Sequence, residues 1–248
     1  NSIRSMCCRL SLDLNELLNR GGGMWSIGES TGSIGIVTIN MNRIALLSRW
    51  VLGDSNDESE YLETFNTFLS FYMSLARDSL EIKRAVVNEY FERGLMPYTK
   101  EYLPKKFVNH FSTIGLVGMN EACENLLGVS IADPKGQIFA KEVLEFMREV
   151  LVRFQQQTGH LYNLEASPAE GASYRLAKLD QQYYPDCMLA GTKEAPYLTN
   201  SVWLPVDYTN DVLFAIEHQS ELQPLFTGGT MLHLFLGEYY SPDGIKLL

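Results

Sequence analysis

Thr31-Gly32-Ser33-Ile34-Gly35-Ile36-Val37-Thr38-Ile39-Asn40 is the stretch whose reading decides the fold. Two glycines punctuate its start, and the run from Ile36 to Ile39 is entirely β-branched. Such side chains favour the pleated backbone, so a strand is predicted over about 34–40. Working outward toward the N-terminus, Gly21-Gly22-Gly23 reads as a flexible turn, and before it comes Ser5-Met6-Cys7-Cys8-Arg9-Leu10. A cysteine in a short loop, then a glycine turn, then a β-branched strand is an arrangement that can carry a sulfur into the interior of a barrel.

Toward the C-terminus, helices and strands alternate. A helical pattern from Glu58 to Arg93 sets Tyr61, Phe65, Phe68, Leu69, Tyr72, Leu75 and Ala76 on one face, with Gly94 as its stop. Phe111 to Val117 reads as a second strand, and Asn120 to Leu127 as a short helix closed by Gly128. Asp133-Pro134 supplies an N-cap followed by proline at the first helical position. The helix behind it runs to about Gln157, with Ile138, Phe139, Val143, Leu144, Met147, Val150, Leu151 and Phe154 as its stripe. His160–Ala166 reads as a strand, Pro168–Leu179 as a helix, and Asn200–Val206, Asp211–His218 and Met231–Leu236 as strand, helix, strand. Strands separated by helices predict an α/β fold with a largely parallel sheet.

Composition excludes several function classes. The 248 residues are 46% hydrophobic, enough for a substantial core. Thirty acidic against 20 basic residues, a net charge of −10, argue against a nucleic-acid-coating surface or a polybasic membrane patch. They leave room for a nucleotide held by backbone N–H groups. No apolar run reaches the roughly 18–20 residues a membrane span needs, and no signal segment opens the chain, so a cytoplasmic location is expected. The four cysteines (Cys7, Cys8, Cys123, Cys187) have neither zinc-site spacing nor a disulfide framework. Neither end reads as a natural terminus.

Two further segments carry polar groups suited to a ligand. In Leu164-Glu165-Ala166-Ser167-Pro168-Ala169-Glu170-Gly171-Ala172-Ser173, a strand ends and a helix begins, with Ser167 as the expected N-cap. Small residues there leave backbone N–H groups open at a positive helix end, where phosphates can dock; an ordinary capped helix start has the same look. Thr199-Asn200-Ser201 and Phe226-Thr227-Gly228-Gly229-Thr230 offer hydroxyl, amide and glycine donors at strand entries, and the second lacks the lysine of a P-loop. His233, alone in an apolar strand, reads as a core histidine.

Taken as a set, Met6-Cys7-Cys8-Arg9, the Gly-x-x-Thr-Ile-Asn strand at Gly35–Asn40, Ser167-Pro168-Ala169-Glu170-Gly171 and Thr227-Gly228-Gly229-Thr230 resemble the anaerobic (class III) ribonucleotide reductases, which are glycyl-radical enzymes. The resemblance runs from the cysteine loop to Phe235-Leu236-Gly237-Glu238. It implies a ten-stranded α/β barrel, mostly parallel, with helices outside and the cysteine on a finger loop within. Residues of about 1–33 would be that loop and about 34–248 the second half-barrel. The N-terminal half-barrel and the C-terminal zinc and glycyl-radical domain would lie elsewhere, so the chain alone is expected to be inert.

What the resemblance implies for the site follows residue by residue. Met-x-Cys-Arg puts the thiyl radical on Cys8 and leaves Cys7 structural. Glu170 would serve at the ribose hydroxyls. Ser167, Ala169, Gly171, Ala172, Thr199, Asn200, Ser201 and Ser33 would line the substrate. Formate-dependent members carry Asn where Ser33 stands, and the shorter serine points to a thiol redox protein rather than formate as reductant. The implied cofactors, a glycyl radical and zinc, belong to the C-terminal domain. The implied partners are a ribonucleoside triphosphate, a radical-SAM iron–sulfur activating enzyme and a second subunit in a homodimer, with no nucleic acid and no membrane. Two other readings stay open. Pyruvate formate-lyase also carries a vicinal cysteine pair, and a non-catalytic piece could complete a partner's barrel. The glycyl-radical dehydratases carry Glu two residues after the cysteine, where this chain has Leu10.

Overall fold

In the computed structural model, the described residues are 4–5, 11–12, 31–53, 55, 57–103, 106–232, 241 and 243. Two short strands, β1 (Arg4–Ser5) and β2 (Ser11–Leu12), pair antiparallel on either side, in sequence, of the segment that holds Cys7 and Cys8. The central sheet has the order β3-β4-β5, from Gly32–Asn40, His110–Val117 and Leu161–Glu165, and both pairings are parallel. Parallel strands require long returns, and helices supply them here. The α/β reading with parallel strands is therefore correct.

Between β3 and β4 run α1 (Met41–Leu52), α2 (Glu58–Glu92) and α3 (Pro97–Tyr102). Sequence reading missed α1 and α3. No turn separates β3 from α1: Asn40 is at once the last strand residue and the N-cap, its side chain accepting from Arg43 N at 3.0 Å. The 35-residue α2, about 52 Å long, buries Tyr61, Phe65, Leu69, Met73, Ala76 and Leu80. Leu75, expected on this face, is instead half exposed and lines a groove along the outer edge of β3. The buried stripe continues to Arg84, whose guanidinium donates to Phe107 O (3.1 Å), His110 O (2.8 Å) and Ser112 Oγ (2.9 Å). It ties the helix to the entry of β4.

The β4–β5 return is α4 (Met119–Leu127) and α5 (Pro134–Thr158). The Asp133 cap holds as read, donated to by Lys135 N at 2.9 Å, and Gly159 closes α5 with φ 75°. All of the expected stripe is buried except Ile138, which faces solvent. Gly136 is required by close approach, since a Cβ there would sit 2.3 Å from Ser130 O.

After β5 come α6 (Glu170–Tyr183), a two-residue-per-strand hairpin of β6 (Ala190–Gly191) and β7 (Pro196–Tyr197), and α7 (Val212–Gln219) capped by Asp211. The strand expected at 200–206 does not form. Ser201 sits at φ 48°, a left-handed conformation no strand contains, and the segment folds as turns. The hairpin was not anticipated. The strand expected at 231–236 lies almost wholly outside the described residues, as do Gly21–Gly23 and His233. Among the described residues, no helix is long and apolar enough to cross a membrane.

Candidate active site

The pleat sends successive residues to opposite faces of the sheet, and polar side chains gather on one of them beside Ile36 and Val117. Val37, Ile39, Ile114, Leu116, Tyr162 and Leu164 pack into the core with the helices. The opposite face carries Thr38, Asn40, Thr113, Gly115, Asn163 and Glu165. Strand register aligns them into rows: Thr113 beside Asn163, then Thr38, Gly115 and Glu165. This polar inner face is the candidate site.

The structure gathers most of the residues expected to bind substrate at the end where the strands finish. Ser167 is buried, and its Oγ accepts from Thr38 Oγ1 at 3.0 Å. It lies directly over Gly115, where a Cβ would come within 1.8 Å of that hydroxyl. Ser167 is therefore not the N-cap it was expected to be, and Pro168 is not the first helical residue. The cap is Ala169, at φ 51° with no side-chain bond, and α6 begins at Glu170 and runs on to Tyr183. The serine's hydroxyl is taken by a tertiary partner across the sheet, so the helix starts two residues later.

This start leaves the N–H groups of Gly171 and Ala172 without a helical acceptor. Both residues are exposed, and so is Glu170. Ser173 Oγ then donates to Leu198 O (2.8 Å) and accepts from Leu198 N (3.0 Å), which brings 199–201 against the start of α6. Gly118 N donates to Thr199 O (2.8 Å) and Met119 N to Ser201 O (3.2 Å). Thr199 and Ser201 are buried. The two segments that sequence reading treated separately are thus one constellation.

Ser33 stands apart from it, at the entry of β3. Its Oγ lies 3.2 Å from Thr113 Oγ1 and 3.3 Å from Gly35 O, and Thr113 stands two residues, about 7 Å, before the row that holds the Thr38–Ser167 contact. The Thr227-Gly228-Gly229 segment runs along the far side of β5, with Gly228 N donating to Leu164 O (2.6 Å) and Ala166 N to Gly229 O (3.0 Å). Cys7 and Cys8 lie outside the described residues. Cys123 and Cys187 are free thiols, Cys123 fully buried.

Three residues important to this geometry escaped sequence reading. Glu121, fully buried in the first turn of α4, accepts from Thr199 N at 2.9 Å and from Thr199 Oγ1 at 2.5 Å. Burial pushes its carboxyl up to about 7 from an ordinary 4.5, against the opposing pull of the Thr199 hydrogen bonds. A folded-state value above the unfolded one means the native protein holds this proton more tightly. The contribution is fully present below about pH 4.5 and is lost as pH rises through about 7. Stability should therefore fall across that window by roughly 3 kcal/mol. Glu121→Gln should flatten the fall, measured by urea unfolding at several pH values; an unchanged slope would remove Glu121 as its source.

Asp180 is the second, its buried carboxylate facing Asn40, Asn42 and Arg43. Asn163 is the third. For Asn163 the available signal was the strand pattern itself, since Tyr162-Asn163-Leu164-Glu165 places polar residues at every second position.

Comparison with known proteins adds a family to this geometry. A family model described as anaerobic ribonucleoside-triphosphate reductase matches residues 1–248. The chain is 25% identical to the anaerobic ribonucleoside-triphosphate reductase of Escherichia coli K12, over 94% of this chain and 32% of that protein. It is 26% identical to the enzyme of the same name from Enterobacteria phage T4, over 84% of this chain and 34% of that protein. Among solved structures, the anaerobic ribonucleotide reductase of Thermotoga maritima with MES in the active site superimposes with a TM-score of 0.69. The identity there is 26%, covering 92% of this chain and 37% of that one. The chain spans about a third of the length of the curated relatives it matches.

Proposed function

Because the chain belongs to the anaerobic ribonucleoside-triphosphate reductase family, we propose that it is the part of such an enzyme that holds the substrate-bound radical chemistry. The reaction is reduction of a ribonucleoside triphosphate to its 2′-deoxy form. The observation that carries this is the convergence of Ser167–Ser173 with Leu198–Ser201 at one end of a polar sheet face, within a chain matched along its whole length.

The exposed N–H groups of Gly171 and Ala172 would receive phosphate oxygens at the positive end of α6. Thr199, Asn200 and Ser201 would form the wall beside them. A glycyl radical and a zinc site, both in the C-terminal domain, would complete the enzyme; the radical supplies the oxidising equivalent that an iron–sulfur activating enzyme first generates. Cys8 as a thiyl then takes the 3′-hydrogen of the ribose. The 2′-hydroxyl leaves as water once protonated, two electrons and a proton enter from the reductant, and the Cys8 S–H returns its hydrogen to C3′. Glu170, exposed at the start of α6, would have to turn toward the ribose hydroxyls to assist. The N-terminal half-barrel and a second subunit belong to the same reading.

The reductase reading is favoured over pyruvate formate-lyase and over a docking piece because the family match and the relatives all carry the reductase name. Anaerobic assay of the complete, activated enzyme tests it: deoxynucleoside triphosphate is the expected product. Acetyl transfer from pyruvate, or no turnover, would overturn it. Ser33, already bonded to Thr113 and lacking an amide, supports a thiol redox protein as reductant. Robust turnover with formate alone would discard that part.

A further inference from the structure

Several polar side chains on the inner face of the sheet satisfy one another in rows. Ser33 and Thr113 hydroxyls meet at 3.2 Å, and Thr38 donates to Ser167 at 3.0 Å. Asn40 donates to Asp180 at 2.9 Å. Asn163, next to Thr113 in register, is fully buried, yet neither its Oδ1 nor its Nδ2 has a hydrogen-bond partner among the described residues. Its neighbours Tyr162 and Leu164 point into the core, so the amide points to the inner face. Gly228 backs it closely: a Cβ there would come within 3.0 Å of Asn163 Cγ and 3.1 Å of Nδ2.

Burying an amide with both ends unmet is unfavourable, and native proteins avoid it unless another molecule supplies the partners. The carboxamide offers a donor and an acceptor side by side. Phosphate and formate only accept, so either would leave Oδ1 unmet. A vicinal diol matches both, one hydroxyl donating to Oδ1 while the other accepts from Nδ2. Asn163 also lies between Ser33 at one end of the sheet and the Ser167–Ser173 turn at the other. A ribose whose phosphates reached the start of α6 would fall in this interval.

We infer that Asn163 is a substrate-binding residue that grips the 2′,3′-diol of the ribose, which distinguishes a ribonucleotide from its deoxygenated counterparts. This deepens the ribonucleotide reading above and rests on it. The test uses the full-length enzyme. It compares dissociation constants for ribonucleoside triphosphates and their 2′,3′-dideoxy analogues in wild type, Asn163→Ala and Asn163→Leu. Affinity for the ribonucleotide should drop roughly 10- to 100-fold in both variants, with dideoxy affinity unchanged, since two hydrogen bonds are lost on one ligand only. The ligand-free melting temperature of Asn163→Leu should hold or rise, because an unmet polar group is replaced by an apolar one of similar shape. Equal losses for both ligands, no loss, or a lower melting temperature in Asn163→Leu would overturn the inference. If the wild-type enzyme makes no deoxynucleotide, the reductase reading falls on that result alone. The ratio of the two affinities still decides the role of Asn163.

Discussion

Cys8→Ser in the complete, activated reductase is expected to reduce deoxynucleotide formation to background, while Cys7→Ser keeps substantial turnover. A thiyl can exchange hydrogen with a sugar carbon in both directions because S–H and activated C–H bonds are close in strength. A serine O–H bond is far stronger, so an alkoxyl radical would neither form from the same donor nor give its hydrogen back. Nothing else at this position can stand in, and the loss is of chemistry rather than of binding: ribonucleotide affinity should stay within a few-fold of wild type. Cys7 takes no part in the hydrogen exchange on the reading proposed above. Measurement of deoxynucleotide product under anaerobic conditions for the two variants, with nucleotide affinity as control, distinguishes the outcomes. Activity surviving in Cys8→Ser but not in Cys7→Ser would move the radical to Cys7.

The second large effect concerns the start of α6 from its far end. Asp180 Oδ1 accepts from Arg43 Nε and Nη2, both at 2.7 Å, and Oδ2 accepts from Asn40 Nδ2 at 2.9 Å and Asn42 Nδ2 at 2.8 Å. The carboxylate is fully buried, whereas Arg43 keeps about a quarter of its side chain exposed, with its guanidinium 5.3 Å from the rings of Tyr183 and Tyr184. Asn42 passes the network on, accepting from Asn125 Nδ2 at 2.9 Å. Removing the carboxylate strands four donors at the point where α6 meets the end of β3.

Breaking a buried pair costs about 3–5 kcal/mol, and the partial exposure of Arg43 argues for the lower end. Asp180→Ala should therefore lower unfolding stability by about 3 kcal/mol. Asp180→Asn should do nearly as badly, because an amide brings two donors of its own into a cluster that supplies only donors. Urea unfolding of the full-length protein reads both. The same variants should raise the KM for ribonucleotide, as α6 carries the N–H groups of Gly171 and Ala172. Stability within about 0.5 kcal/mol of wild type would mean that the network contributes little.

Legibility in the sequence followed the distance over which each feature is decided. The helix over 134–158 was readable almost to the residue, since Asp133-Pro134 starts it, Gly159 ends it and the stripe between is local. The helix over 41–52 was not, because Asn40 serves strand and helix together and leaves no punctuation. Ser167 was read as a cap on sound local grounds, and Thr38, 129 positions away, claims its hydroxyl instead. Residues 200–206 include the run Val202-Trp203-Leu204, whose side chains suit a strand. Glu121, Gly118, Met119 and Ser173 anchor the segment that leads into them, and the chain turns there instead.

The candidate site divides the same way. Ser167–Ala172 and Thr199–Ser201 stood out as candidate ligand-binding segments from their residues and family resemblance. Their convergence through Ser173 and Leu198 was not visible there, and neither was the isolation of Asn163. By itself the sequence determined the three strands of the central sheet and the long helices between them, in order, because periodicity and capping act within one or two turns of the chain. Only the tertiary structure decided which polar side chains share the inner face and which of them find partners. Those pairings depend on the register between strands some fifty to eighty residues apart, where a slip of one residue would turn every side chain to the opposite face.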